Sequence, residues 1–267
     1  MTAIPLTYID PLRPLLNRRP LGLFSDIDGT LSPIVERPED AIVTPRCRTL
    51  LKRLIREGVR VALITGRTVE MARSMVEIDE AAYAANHGLE FWIGGQVESP
   101  EGLEESPALV ERIVAQTQPL DAVGVHVERK GPAVAFHYRR ALDRDAARAA
   151  ILRAIDSSEA AQHFAVSEGR MVIELRPDVP ENKGTAALVL ARRLGVEGIV
   201  CLGDDRMDID MFEAVRSLRD QGVEGVAVAV VSAESVPELS AAADYTVDGV
   251  KGVEWLLGEL LRALAEK

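Results

Sequence analysis

An apolar stretch that ends in two closely spaced aspartates limits the folds open to this chain. Residues 21–24 (LGLF) are a short apolar run, which predicts a buried strand. Asp26 and Asp28 follow it directly, and Gly29 permits a sharp turn away from the strand end. Ligands of open α/β sheets bind at the carboxyl ends of the strands, so we expect both carboxylates at a binding site. An ordinary strand with a polar turn is the alternative that this segment alone leaves open.

Two carboxylates at one strand end suit phosphoryl transfer through an aspartyl-phosphate. One carboxylate can attack phosphorus, which divides one difficult hydrolysis into two easier steps. The second can protonate the leaving oxygen and then activate water. Because the two acids repel each other and the incoming phosphate, we expect Mg²⁺, which prefers oxygen ligands, among them. Thr30 offers a hydroxyl and a backbone N–H to the same anion.

Further polar residues follow later apolar runs. Residues 59–65 (VRVALIT) predict a second buried strand, which leads into Thr65, Gly66 and Arg67 just before a helix. Helix N-termini favour phosphate, so for this loop we favour phosphate contact over a plain helix cap at Thr65. His87 ends a third predicted strand, and we expect it to contact the substrate.

Two motifs in the second half of the chain add a cation and more acids. Lys183 lies in the first turn of a predicted helix. A cation is unfavourable at this end of the helix dipole, and a bound anion would compensate for it. Asp204 and Asp205 follow the apolar residues 198–203 (GIVCLG). Acids directly after a buried strand are costly unless they meet a cation, so Asp204 is the predicted third metal ligand. Asp208 is consistent with a cap of the following helix.

The segment between these motifs has a different character. Its predicted order of helix, strand, strand, helix, strand, strand (αββαββ) indicates a compact α+β unit inserted in an α/β domain. We place the α/β core at residues 1–103 and 179–267 and the inserted cap at residues 104–178. Polar residues alternate along its strands, which predicts a face that is either a solvated surface or a lid over a polar ligand. They are Glu128, Lys130, His137, Arg139, Glu174 and Arg176.

The composition restricts the kinds of partner. The chain has 267 residues and a net charge of −11, which argues against nucleic acid and requires a locally cationic site for an anionic substrate. No apolar stretch reaches transmembrane length, and the N-terminus does not fit a signal peptide. We therefore expect a cytoplasmic protein that acts on a small molecule, with neither a membrane nor a nucleic-acid partner.

Four motifs in order, FSDIDGT, ITGR, NKG and LGDD, resemble the haloacid-dehalogenase-like (HAD-like) phosphatase superfamily. That resemblance implies a Rossmann-like, doubly wound parallel sheet, with the inserted unit as its cap. The segments NHGLE, VERKGPAVAFHYR, ELRP and GDDRMDIDMF more narrowly resemble the trehalose-6-phosphate phosphatases. The chain departs from that family at Met207 and Ile209, which stand where a Thr-Asp-Glu-Asp run is usual, and at Ser32, where Thr is common.

The resemblance implies a role for each site residue. Asp26 would be the nucleophile and Asp28 the general acid/base, and both would ligate Mg²⁺, the latter through its backbone carbonyl. Asp204 would complete the metal shell, with Asp205 acting through water. The predicted phosphate-binding residues are Thr30, Thr65, Gly66, Arg67 and Lys183. The predicted sugar-binding residues are His87, Glu128, Lys130, Arg139 and Glu174.

The implied activity is Mg²⁺-dependent hydrolysis of trehalose 6-phosphate to trehalose and phosphate, a step of trehalose biosynthesis. One alternative is a phosphatase for another sugar phosphate, such as sucrose phosphate or mannosylglycerate phosphate. Another is a catalytically weak domain that senses sugar phosphate or regulates a synthase. A trehalose-6-phosphate synthase is the macromolecular partner that the resemblance suggests, and the expected assembly is a monomer or a weak homodimer.

Overall fold

A computed structural model describes residues 3–35, 37–169, 171–233 and 235–266. The strands are, in chain order, β1 (Ile4–Pro5), β2 (Leu21–Ser25), β3 (Arg60–Ile64), β4 (Ala82–Ala85), β5 (Glu90–Ile93), β6 (Gln96–Glu98), β7 (His126–Lys130), β8 (Ala133–His137), β9 (Phe164–Gly169), β10 (Val172–Pro177), β11 (Gly198–Gly203), β12 (Glu224–Val231) and β13 (Tyr245–Asp248). The α-helices are α1 (Pro45–Arg56), α2 (Val69–Val76), α3 (Ser106–Thr117), α4 (Arg144–Asp156), α5 (Lys183–Leu194), α6 (Ile209–Asp220), α7 (Pro237–Ala242) and α8 (Gly249–Ala265).

The larger sheet places β2 in its interior. Its strand order is β1-β13-β12-β11-β2-β3-β4-β5-β6. The strands from β1 to β4 in this order pair in parallel, whereas β5 and β6 are antiparallel additions. All residues of β2 are buried, as expected for a parallel strand that is covered on both faces. The predicted parallel, doubly wound α/β core is therefore confirmed.

Helices cover both faces of this sheet. Leu23 packs in one apolar cluster with residues of α1 and α8, whereas Phe24 packs in another with residues of α5 and α6. Successive side chains of a strand point to opposite faces, which is why neighbours in β2 join different clusters. The carboxyl ends of β2, β3, β4 and β11 consequently share one edge of the sheet, where the predicted site residues emerge.

The chain divides into two compact units. One comprises Met1–Glu98 and Glu181–Lys267, and the other comprises Ser99–Pro180. The sequence analysis placed the boundaries at 103/104 and 178/179, and a role of the second unit as a substrate cap remains a prediction. None of the helices in the described ranges is long and apolar enough to cross a membrane.

The smaller unit has its own sheet and core. Its strands pair antiparallel in the order β7-β8-β10-β9. Phe136 and Ile173, on one face of the sheet, pack with Ile113 of α3 and Ile151 of α4. The predicted order of elements in this unit is confirmed, with α3, β7, β8, α4, β9 and β10 following one another.

Candidate active site

The end of β2 delivers Asp26 into a tight turn. The Asp26 side chain is almost fully buried, and its backbone N–H donates to the Leu202 carbonyl of β11 at 3.0 Å. Gly29 adopts φ 81°, and its N–H donates to the Ser32 carbonyl at 2.7 Å. A Cβ at residue 29 would lie 1.9 Å from a carboxylate oxygen of Asp204. Glycine is therefore required both for the turn and for the close approach of Asp204.

Lys183 begins α5 and pairs with two buried carboxylates. Its Nζ donates to Asp26 Oδ1 at 2.7 Å and to Asp208 Oδ1 at 2.6 Å. The Asn182 side chain caps the helix by accepting from the Thr185 N–H at 2.9 Å. Burial lowers the pKa of Lys183, but the two carboxylates outweigh burial and hold that pKa above its ordinary value. The unfavourable place of this cation at a helix N-terminus is thus explained by its acidic neighbours.

Asp208 is a site residue that the sequence analysis missed. Its side chain is fully buried. Besides the bond to Lys183, its Oδ2 accepts from the backbone N–H groups of Asp204 at 2.8 Å and Asp205 at 2.9 Å. Asp208 therefore fastens the loop after β11 to the start of α5. The sequence signal was ambiguous, because an acid in front of a helix is also the usual choice for a cap.

Three carboxylates beside Lys183 could hold a metal ion. One oxygen each of Asp26, Asp204 and Asp208 lies within 4.8 Å of the others. Burial, followed by the charge of Asp208, raises the pKa of Asp204 to about 6. Burial also raises the pKa of Asp26 well above its ordinary value, against the opposing effect of Lys183. Three acids and one ammonium leave excess negative charge, and an all-oxygen set of donors suits a hard divalent cation.

Asp205 and Thr30 make hydrogen bonds that the sequence did not predict. Asp205 is exposed, and its Oδ1 accepts from the Arg206 N–H at 2.5 Å. Among the described residues, the carboxylate group that could hold a metal contains Asp208 and not Asp205. Thr30 is fully buried and donates its hydroxyl to Asp204 Oδ1 at 2.9 Å. A water-mediated metal contact of Asp205 and a phosphate contact of Thr30 remain predictions.

The loop after β3 holds the second predicted acid. Thr65 is buried, and its Oγ1 accepts from the Arg67 N–H at 3.2 Å. The Arg67 guanidinium binds the Asp28 carboxylate through both oxygens, with Nε–Oδ2 and Nη2–Oδ1 distances of 2.7 Å each. Such two-pronged pairs are strong and directional. The expected phosphate contact of Arg67 remains a prediction, and the observed contact is with Asp28.

His87 lies against the predicted phosphate-binding loop. Its backbone N–H donates to the Thr65 carbonyl at 2.9 Å. A Cβ on Gly66 would lie 2.5 Å from His87 Nε2, so the imidazole rests directly on that glycine. The expected sugar contact of His87 remains a prediction. The structure places its backbone against Thr65 and its ring against Gly66.

Polar residues share one sheet face within the smaller unit. Glu128 and Glu174 are the cross-strand neighbours of Ala135 on its two sides. Lys130 Nζ donates to Glu174 Oε1 at 2.8 Å, and His137 Nε2 lies 2.8 Å from Glu128 Oε2. The hydrogen bond with His137 lowers the pKa of Glu128, although burial opposes this. Two polar pairs, Lys130 with Glu174 and His137 with Glu128, therefore lie on the face that also carries Ala135.

The prediction that Arg139 continues this strand face is wrong. β8 ends at His137, and Arg139 lies exposed in the turn that follows. The turn closes because the Ala141 N–H donates to the Tyr138 carbonyl at 3.1 Å. A sugar contact of Arg139 from this turn remains a prediction.

Two curated relatives match most of the length of this chain. The chain is 31% identical over 237 residues to trehalose-phosphate phosphatase B of Arabidopsis thaliana, an alignment that covers 81% of this chain and 62% of that protein. It is 35% identical over 225 residues to an uncharacterised glycosyl hydrolase of Mycobacterium tuberculosis, covering 78% of this chain and 16% of that protein. The chain thus spans less than two thirds of the length of both relatives.

A solved structure and a family profile also match this chain. The crystal structure of a trehalose-6-phosphate phosphatase related protein superposes with a TM-score of 0.72 at 24% identity, covering 92% of this chain and 100% of that one, which shows a common fold. The sequence profile described as Trehalose-phosphatase matches residues 24–251, from the end of β2 to the beginning of α8. The chain therefore belongs to the trehalose-phosphatase family.

Proposed function

We propose that this protein hydrolyses trehalose 6-phosphate to trehalose and inorganic phosphate through an aspartyl-phosphate on Asp26. The observation that carries the proposal is the buried ion pair between Lys183 Nζ and Asp26 Oδ1 at 2.7 Å, beside two further carboxylates. Such a group at the carboxyl edge of a parallel sheet suits an anionic ligand together with a cation. The substrate class comes from family membership and from the name of the Arabidopsis relative.

Asp26 is the proposed nucleophile. A carboxylate attacks phosphorus only when ionised, and burial opposes ionisation of Asp26. Lys183 favours the charged form and holds Oδ1 in place. We therefore assign the attack to Oδ2: the bond from Oδ2 to phosphorus forms while the bond from phosphorus to the sugar oxygen breaks. The positive charge of Lys183 also opposes the repulsion between Asp26 and the phosphate dianion.

Asp28 is the proposed proton donor and acceptor. It protonates the leaving sugar oxygen and later removes a proton from the water that hydrolyses the aspartyl-phosphate. Arg67 occupies both oxygens of Asp28 in the structure. Each oxygen keeps a second lone pair for proton transfer, and opening of one of these two hydrogen bonds would free Asp28 further. A phosphate dianion is a competing partner for the guanidinium and would favour that opening.

Mg²⁺ is the proposed cofactor, and the donor set fits it. Asp26 and Asp204 would hold it, with the backbone carbonyl of Asp28, while Asp208 orients the loop that carries Asp204. When bound there, Mg²⁺ supplies neutralisation of negative charge on the phosphate oxygens. A bound cation also favours the charged form of Asp204, whose pKa burial raises to about 6.

The smaller unit is the proposed selector of the sugar. Ionised carboxylates accept hydrogen bonds from sugar hydroxyls, and an ammonium donates to them. Glu128, Lys130 and Glu174 offer these groups on one face of the sheet. Ala135 lies between the two carboxylates, and its small side chain leaves space there for a sugar hydroxyl. The role of this unit as a lid is part of the proposal. So are the cytoplasmic location and the association with a synthase.

The test is phosphate release from the full chain with Mg²⁺ and with a chelator. The panel contains the 6-phosphates of trehalose, sucrose and glucose, mannosylglycerate phosphate and an aryl phosphate. A Mg²⁺-dependent preference for trehalose 6-phosphate that Asp26→Asn abolishes is the expected result. A preference for another sugar phosphate would keep the chemistry but reject the substrate. Saturable sugar-phosphate binding without phosphate release would support a regulatory domain instead.

A further inference from the structure

The turn formed by Asn86, His87 and Gly88 connects two elements of the candidate site. All three residues have positive φ, at 48°, 58° and 100°. A left-handed backbone is unfavourable for residues other than glycine, although Asn, Asp and His tolerate it better than most. Two such residues in succession need support from their surroundings, which usually indicates a functional constraint.

Both backbone N–H groups at the start of this turn are directed at the loop after β3. The Asn86 N–H donates to the Arg67 carbonyl at 2.8 Å, and the His87 N–H donates to the Thr65 carbonyl at 2.9 Å. The carbonyl of Thr65 and the N–H of Gly66 belong to the same planar trans peptide, so they point in opposite directions. The bond from His87 therefore turns the Gly66 N–H away from the 86–88 turn.

Close packing on both sides of the turn fixes the same arrangement. The imidazole of His87 rests on Gly66, where an added Cβ would lie 2.5 Å from Nε2. On the other side, a Cβ on Gly88 would lie 2.9 Å from the carbonyl oxygen of Asn182, the residue that caps α5 in front of Lys183. The turn is thus packed between the Thr65–Gly66 peptide and the start of α5.

We propose that His87, through its left-handed backbone, is a positioning residue that orients the Gly66 N–H toward the phosphate group of the substrate. This inference rests on the proposed phosphatase function, but it concerns phosphate of any origin and not the sugar. It replaces the expectation that His87 contacts the sugar with a role on the phosphate side of the site.

The test compares His87→Ala with His87→Asn in the full chain. Both substitutions remove the imidazole ring. Alanine also disfavours the left-handed backbone, whereas asparagine tolerates it. A misdirected N–H removes a hydrogen bond to a charged group, so His87→Ala should raise the inhibition constant of inorganic phosphate roughly tenfold. The KM values for trehalose 6-phosphate and for an aryl phosphate should rise by the same factor, and His87→Asn should recover most of the loss.

A matched control separates positioning from general loss of stability. Glu77 directly follows α2 as its C-cap with φ 56°, so it is also a left-handed residue other than glycine. Glu77→Ala should leave the inhibition constant of phosphate unchanged. Equal effects of Glu77→Ala and His87→Ala, or equal losses in the two His87 variants, would overturn the proposal. A rise of KM for the sugar phosphate alone would restore the sugar contact.

A measurement on the unmodified protein covers the case in which His87→Ala does not fold. The backbone amide of His87 should exchange slowly with solvent before phosphate is added, because the Thr65 carbonyl already binds it. Inorganic phosphate should then slow exchange of the Gly66 amide. Fast exchange at His87, or no effect of phosphate at Gly66, would refute the proposal. Phosphate binding with no trehalose 6-phosphate hydrolysis would reject the proposed substrate and leave this inference intact.

Discussion

Replacement of Lys183 by methionine tests how the buried charges of the site are balanced. Met has a similar volume and leaves no large cavity, so Lys183→Met removes the charge with little change of packing. The substitution breaks two ion pairs, of 2.7 Å to Asp26 and 2.6 Å to Asp208. It leaves the group of three carboxylates without its ammonium.

The size of the effect follows from the separations. Two carboxylate oxygens within 4.8 Å of each other repel by at least about 3.5 kcal/mol at an effective dielectric constant of about 20. Removal of one member of a buried ion pair typically lowers the free energy of unfolding by about 3–5 kcal/mol. One of the acids can take up a proton, which removes its charge and limits the total loss of stability. We expect a loss of about 4 kcal/mol with chelator present, which is a large part of a typical stability.

The pH dependence has a definite sign. Without Lys183, the pKa of Asp26 in the folded state rises further above its unfolded value, because the ammonium was the main influence that lowered it. A carboxyl whose pKa is raised by folding loses stability as the pH rises through the interval between its unfolded and folded pKa. The free energy of unfolding of the variant should therefore lie far below that of the parent protein near neutral pH. The difference between the two should narrow as the pH falls toward 5.

Urea unfolding with chelator near pH 7.5 and near pH 5.5 measures both quantities. Lys183→Met should lower the midpoint by about 1.3–2 M at the higher pH, for a slope of about 2–3 kcal/mol per M. Lys52→Met makes the same chemical change at an exposed position of α1 and should shift the free energy by less than about 0.5 kcal/mol. A gap of the same size at both pH values would refute the reasoning, as would a variant as stable as the parent.

Three further predictions concern metal, sugar and proton transfer. Because the pKa of Asp204 is raised to about 6 and a metal ligand must be deprotonated, the affinity for Mg²⁺ in titration calorimetry should fall as the pH drops through about 6; a constant affinity would contradict this. Glu174→Gln removes the charge that faces Lys130 and should raise KM for trehalose 6-phosphate about tenfold while leaving aryl phosphate kinetics unchanged. Parallel losses on both substrates would argue against a sugar contact. Arg67→Lys keeps the charge but loses the two-pronged bond to Asp28. For the sugar phosphate, kcat should therefore fall by roughly tenfold. The fall should be smaller for an aryl phosphate, because its leaving group needs no proton. Equal kcat losses on the two substrates would count against that role.

The positions of the strands that carry the site could be predicted because the signal is local. Residues 21–24 and 198–203 are short apolar runs, and the polar residues that matter follow them at once. Parallel pairing of β2 with β3 and β11 then brings these strand ends to one edge, as the general rule for open α/β sheets requires. Sequence order, apolar runs and that rule were sufficient to place Asp26 and Asp204 together, and the resemblance added Lys183.

The pairings inside the site could not be predicted, because they depend on contacts between distant segments. Asp28 and Arg67 are 39 positions apart, and Lys183 and Asp208 are 25 apart. A carboxylate in front of a helix looks alike in sequence whether it caps that helix or neutralises a lysine. Likewise, alternation showed which residues share a face of β8, but the end of that strand depends on the turn that leads to Ala141, so Arg139 was misplaced.

Several residues of this edge break local rules, and they do so in contact with one another. Lys183 opposes a helix dipole, Asp208 is a fully buried acid, and His87 is left-handed without being glycine. Each choice is unfavourable alone, and each is supported by a neighbour at the same edge: Lys183 and Asp208 support each other, and the Thr65 carbonyl holds His87. Stability alone would favour an apolar residue at 183 together with one at 208, because well-packed apolar residues often match or exceed a buried ion pair. A cluster of individually costly residues where strand ends converge is the pattern expected of a functional site.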